Sequence, residues 1–167
     1  MLEKLEHVQM STFELPQAVQ DVLAEAEQTL AHRPKLAELF RNCFPNTLET
    51  TTKLMDDGTT FVITGDIPAM WLRDSVEQLI HYVPLCKEDK DLQRMISGLI
   101  KRHMFYLEID PYANSFNETA NDWHWDPADE TRDESVGMGA QVRVRFTLFY
   151  DSVSVSLLEN KREYRYF

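Results

Sequence analysis

Trp71, Arg73 and Asp74 place an aromatic face, a guanidinium fork and a carboxylate within four residues of TGDIPAMWLRDS, residues 64–75. A second group follows in YANSFNETANDWHWDPADETRDE, where Tyr112, Asn114, Asn117, Glu118, Trp123, His124 and Trp125 crowd a polar, aromatic stretch. Sugar recognition needs this mixture. Planar polar groups bind adjacent hydroxyls in pairs, and Trp or Tyr faces cover the apolar C–H side of the ring. The set fits a carbohydrate better than a metal or a phosphate.

The same residues also admit structural roles. Asp66 before Pro68 is a normal helix-entry signal, with the Asp as N-cap. Trp71 fits a core position, and Arg73 with Asp74 fits a local ion pair. His124 has no His or Cys partner at ligand spacing, which argues against a metal. Asp126, Asp129, Glu130, Asp133 and Glu134 suit a solvated acidic run. The chain contains no GxGxxG, P-loop or GxSxG, so nucleotide binding and serine-hydrolase chemistry have no support.

The elements that must position these groups read as mainly helical. Leu15, Val19, Val22, Leu23 and Leu30 fall near helical spacing over 15–31, with Pro16 in the first turn, and Pro34 opens a second helix over 34–43. TLETTTKLMDDGTTFVITG then changes period, and its β-branched residues flank Asp56-Asp57-Gly58 as a hairpin would. From Trp71 the spacing of Leu72, Val76, Leu79, Ile80 and Val83 predicts a helix ending near Pro84. A further helix over 89–109 carries Leu92, Met95, Ile96, Leu99, Ile100 and Leu107 on one face. Lys90, Arg94, Lys101 and Arg102 are expected on the other. After Asp110-Pro111 a long loop is expected, and loops of that length usually serve function or are disordered.

Bulk properties narrow the partners. A length of 167 residues suits one domain, and 43% hydrophobic with 27% charged residues suits a globular chain. The net charge of −11 argues against nucleic acid and against an anionic membrane surface. Cys43 and Cys86 lie far apart with no CxxC spacing, and read as free thiols of a reducing compartment. The opening MLEKLEHVQM has no apolar h-region, and no run is long enough to span a bilayer. A cytoplasmic protein is the expectation.

TFVITGDIPAMWLRDS followed by DPYANSFN closely resembles glycoside hydrolase family 125, the metal-independent exo-α-1,6-mannosidases. The resemblance runs from about residue 10 to about 134, roughly the first third of a family member. It implies the N-terminal part of an (α/α)6 barrel with a small hairpin near 49–64, no cofactor, and an α-1,6-linked mannoside as partner. It also implies inverting hydrolysis by a carboxylic acid and a separate carboxylate base, on the order of 6.5–9.5 Å apart to admit water. By resemblance Trp71, Arg73 and Asp74 line the pocket of the terminal mannose, with Asn114, Asn117 and Glu118 beside it. The family's acid and base belong to later segments, so neither role is carried onto a residue here. The chain alone is expected to be inactive. A non-catalytic mannose-binding fragment and a pseudogene product are the alternatives.

Composition breaks at residue 135. Residues 1–134 hold 12 Lys and Arg against 25 Asp and Glu, whereas 135–167 hold 5 against 3. Family members continue with a run close to Pro-Trp-Val-Trp-Glu-Arg-Lys-Tyr-Glu-Ile-Asp-Ser-Leu-Cys. The codons of SVGMGAQVRVRFTL, read one base over, permit all of that run except the Ile. Met138 before Gly139 forces the second Trp. Residues 1–134 are thus expected to be part of the catalytic domain, and 135–167 an out-of-frame tail. With barrel partners missing, the apolar faces of helices 72–83 and 92–107 are expected to be uncovered.

Overall fold

Pro16 and Pro34 open the first two helices. A proline's fixed φ and missing N–H suit a helix entrance, where that donor has no intrahelical partner. In the computed structural model, which describes residues 14–65 and 68–121, α1 spans Gln17–Thr29 and α2 spans Pro34–Cys43. A short α3, Asn46–Thr50, leads into the hairpin of β1, Thr52–Leu54, and β2, Thr60–Val62. The strands pair antiparallel with Lys53 opposite Phe61, and Gly58 turns between them at φ +75°, which glycine adopts without a Cβ penalty. Asp57 steadies the turn by accepting from the Thr59 amide and hydroxyl at 2.8 and 2.6 Å.

Strand β3, Ala69–Trp71, runs directly into α4, Leu72–Leu79. The helix does not reach Pro84 as one element, but tightens at Ile80 into a 3₁₀ helix, Ile80–Lys87, that contains that proline. Ile80, where the winding changes, still bonds the Val76 carbonyl in the α pattern and is 49% exposed. The long α5, Lys90–Ile109, is capped by Asp89, whose Oδ1 accepts from the Asp91 and Leu92 amides. Its Oδ2 accepts from the Ala18 amide at 3.1 Å, so one carboxylate starts α5 and ties it to α1. Burial alone would raise the Asp89 pKa; the bonds from Leu92, Ala18 and Asp91 outweigh it and hold the carboxyl below its usual range.

The core gathers around α5. Leu92, Met95, Leu99 and Tyr106 pack with Phe61 and Val62 of the hairpin and with Leu72, Leu79 and Tyr82. At Gly98 the hairpin approaches the helix so closely that an added Cβ would lie 2.5 Å from Thr60 Oγ1 and 3.1 Å from the Gly58 carbonyl. The Thr60 hydroxyl is itself spent on the Met95 carbonyl at 2.8 Å.

Arg102 does not sit on the solvated face. It is 4% exposed, with its guanidinium carbon 5.9 Å from the Phe61 ring centre and 5.5 Å from that of Tyr106. Its spacing from Met95 and Leu99 puts it on the buried stripe, where aromatic faces compensate the charge. The expected apolar faces are also largely covered: Leu72, Val76, Leu79, Leu92, Met95 and Leu99 are buried, Ile80 is exposed, and the other exposed apolar residues, such as Leu39, Met104 and Phe105, lie off those faces.

The fold is therefore mainly α with a small hairpin, part of an (α/α)6 barrel. No helix among the described residues is long and apolar enough to cross a membrane. Cys43 and Cys86 are both free thiols.

Candidate functional site

The region after Asp110-Pro111 is not all loop. Residues Ser115–Asn117 form β4, which pairs antiparallel with β3 so that Trp71 faces Ser115, Met70 faces Phe116 and Ala69 faces Asn117. A two-stranded ribbon thus joins the two polar, aromatic segments of the sequence. Alternation along strands sends Met70 and Phe116 to one face and Trp71, Ser115 and Asn117 to the other. Met70 and Phe116 are fully buried, and Phe116 stacks on Tyr106 with ring centres 4.3 Å apart. That apolar side anchors the ribbon to α5.

Trp71 is half-buried where β3 becomes α4, in extended conformation and with no side-chain cap on the helix. Its amide donates to Thr64 Oγ1 at 3.0 Å, which ties Thr64 to the start of α4. Arg73 and Asp74 occupy the first turn of α4, and Arg73 Nη2 lies 3.1 Å from Asp74 Oδ1. The local ion pair is therefore present, on a side that leaves Arg73 exposed. Asp74 also lies where the helix N-terminus favours negative charge. Asn114 enters through its backbone: its carbonyl accepts from the Leu72 amide at 2.9 Å.

Asn117 and Glu118 lie at the other end of the ribbon, two residue pairs or about 7 Å along it. Asn117 is buried at 1% exposure, its Nδ2 donates to Asn121 Oδ1 at 2.7 Å, and its carbonyl accepts from the Tyr106 hydroxyl at 2.9 Å. Glu118 is half-buried, with Oε2 2.6 Å from Lys53 Nζ of the hairpin. All six candidate residues therefore converge on one ribbon and the helix it feeds. Tyr112 is 53% exposed, and its amide donates to Asp110 Oδ1. Asp66, Trp123, His124, Trp125 and the acidic run 126–134 lie outside the described residues, but the helix entry expected at Asp66 and Pro68 is not found, because β3 intervenes and α4 begins only at Leu72 with Trp71 in the cap position.

Sequence reasoning passed over four supporting residues. Lys53 holds Glu118, and Thr64 holds the Trp71 amide. Ser75 and His103 meet in the core, with Ser75 Oγ 2.8 Å from His103 Nε2. Burial pushes His103 down to about 4, so it is neutral near pH 7. The available signal was a polar residue in each apolar stripe: Ser75 beside Leu72, Val76 and Leu79, and His103 beside Leu99 and Tyr106. No cluster of three or more His, Cys, Asp or Glu able to hold a metal ion occurs among the described residues.

Residues 33–155 match the family described as metal-independent alpha-mannosidase (GH125), and the chain belongs to that family of glycosidases. More particularly, it is 43% identical over 104 residues to the meiotically up-regulated gene 157 protein of Schizosaccharomyces pombe, covering 60% of this chain and 19% of that protein. A solved structure from Streptococcus pneumoniae, of the metal-independent alpha-mannosidases in a non-productive complex with alpha-1,6-mannobiose, is 45% identical with a TM-score of 0.59. That alignment covers 63% of this chain and 25% of the solved one. The chain thus spans about a fifth of the yeast relative and a quarter of the bacterial structure.

Proposed function

We propose that this chain forms the mannose-binding wall of an exo-acting α-1,6-mannosidase that inverts configuration and needs no metal. The observation that carries the reading is the β3–β4 ribbon, which sets the Trp71–Asp74 turn beside Asn114 and within one short strand of Glu118. In this role Trp71 covers the apolar face of the terminal mannose. Arg73 and Asp74 bond its hydroxyls, and Asn114 and Glu118 bond from the two ends of the facing strand. Asn117, buried, supports the ribbon end.

The general acid and the base that activates water are assigned to no residue here. Because the chain spans only a quarter of its solved relative, we propose that alone it binds without turning over. Cytoplasmic placement is part of the same reading and fits the two free thiols. Calorimetric titration with α-1,6-mannobiose tests the binding. Heat from the unmodified chain, and roughly tenfold weaker binding by Trp71→Ala, are expected on loss of one ring face; no heat from the unmodified chain removes the reading. Mannose release by the chain alone would refute its inactivity.

Residues 135–167 enter the proposal as out-of-frame translation. The family match continues to residue 155, so this reading makes a sharp demand. The nucleotide sequence around codons 130–140 must reveal a gain or loss of one base whose correction restores the family run. An intact frame there sinks it.

A further inference from the structure

Leu72 immediately precedes Arg73 and Asp74, and its peptide groups are gripped from two sides. Its amide donates to the Asn114 carbonyl at 2.9 Å. Its carbonyl accepts from Ser75 Oγ, also at 2.9 Å, and the same hydroxyl lies 2.8 Å from His103 Nε2 on α5. Ser75 is fully buried and His103 is 8% exposed, so water competes little for these bonds. A serine hydroxyl has one proton. If it is donated to the Leu72 carbonyl, the imidazole must carry its own proton on Nε2 and donate to Ser75 Oγ.

We infer that Ser75 and His103 are positioning residues for the mannoside site, forming a relay from His103 Nε2–H through the Ser75 hydroxyl to the Leu72 carbonyl. The inference rests on the mannoside-binding reading above. Trp71 offers α4 no side-chain cap, and the relay does not replace one, because it donates to a carbonyl rather than accepting from the first-turn amides. It fixes the roll of the first turn against α5 while the Asn114 bond fixes its distance from β4. Arg73 and Asp74, one and two residues on, inherit both constraints. Neither Ser75 nor His103 needs to touch the sugar.

The test is titration of the unmodified chain and its variants with α-1,6-mannobiose, each with a thermal melt. Ser75→Ala and His103→Leu are expected to weaken binding roughly tenfold, the upper range for one buried hydrogen bond. His103→Gln, whose amide N–H can replace the imidazole donor, is expected to stay within about threefold. The double variant Ser75→Ala, His103→Leu should bind no more weakly than either single one, because both break the same relay. A purely structural pair would lower the melting temperature of these variants and leave the affinity unchanged, which overturns the inference while the binding reading stands. No heat from the unmodified chain removes both together. A nitrogen NMR spectrum offers an independent arm: protonation of His103 on Nε2 supports the relay, and protonation on Nδ1 overturns it.

Discussion

Lys53 shows how a side chain can hold a candidate site residue, Glu118, without being legible from the sequence. Lys53 is one Lys in a Thr-rich strand, and 65 residues separate it from the carboxylate it meets at 2.6 Å. Both side chains are partly exposed, so Lys53→Met is expected to cost less than about 1 kcal/mol in stability. If Glu118 contacts mannose, the same variant should still weaken α-1,6-mannobiose binding several-fold. Paired melting and titration experiments check this, and unchanged affinity would make the pair merely structural. Trp71, Arg73 and Asp74 stood out as candidates because their residue types suggest a chemistry within four positions. Arg102 was not: assigning charged residues to the solvated face fails where Phe61 and Tyr106 supply aromatic faces beneath a guanidinium.

The helices were the readable elements. Apolar spacing and two entrance prolines locate α1, α2 and α5 closely, and Asp57-Gly58 locates the first hairpin. Strands β3 and β4 escaped because three-residue strands are too short to display alternation, and each exists only through pairing with the other. Two expected outcomes belong to this scale. Gly98→Ala should destabilise by about 1–3 kcal/mol through overpacking, although alanine favours helix by about 1 kcal/mol. The neighbouring Thr60 cannot readily turn aside, because its hydroxyl is bonded to Met95. A melting temperature raised by Gly98→Ala would show that the hairpin yields. Asp89→Ala removes the cap of α5 and its tie to Ala18, and should cost about 2 kcal/mol, measured by denaturant titration.

For the whole molecule, acid should act in two stages. His103 is held down to about 4 by burial, against about 6.5 in an unfolded chain. Between those values the unfolded state binds more protons, so stability is full above about pH 6.5 and falls toward pH 4, by roughly 3 kcal/mol at most. His81, also lowered chiefly by burial, contributes a loss in the same direction as the pH falls below about 6.5. Asp89 has a depressed pKa, so its contribution is complete above about pH 3.9 and disappears as the pH falls further, through its folded value. Melts from pH 7.5 to 3 should therefore decline early, and His103→Gln should flatten most of that early decline. A wild-type stability independent of pH between 6.5 and 4 would contradict the burial of His103. The ribbon of β3 and β4 has a consequence on an evolutionary scale. Met70 and Phe116 face each other in a sealed space against Tyr106, though 46 positions separate them in the chain. Divergence at either position is then not independent: lineages that enlarge residue 70 should shrink residue 116, leaving a correlated pair of substitutions as a record of the contact.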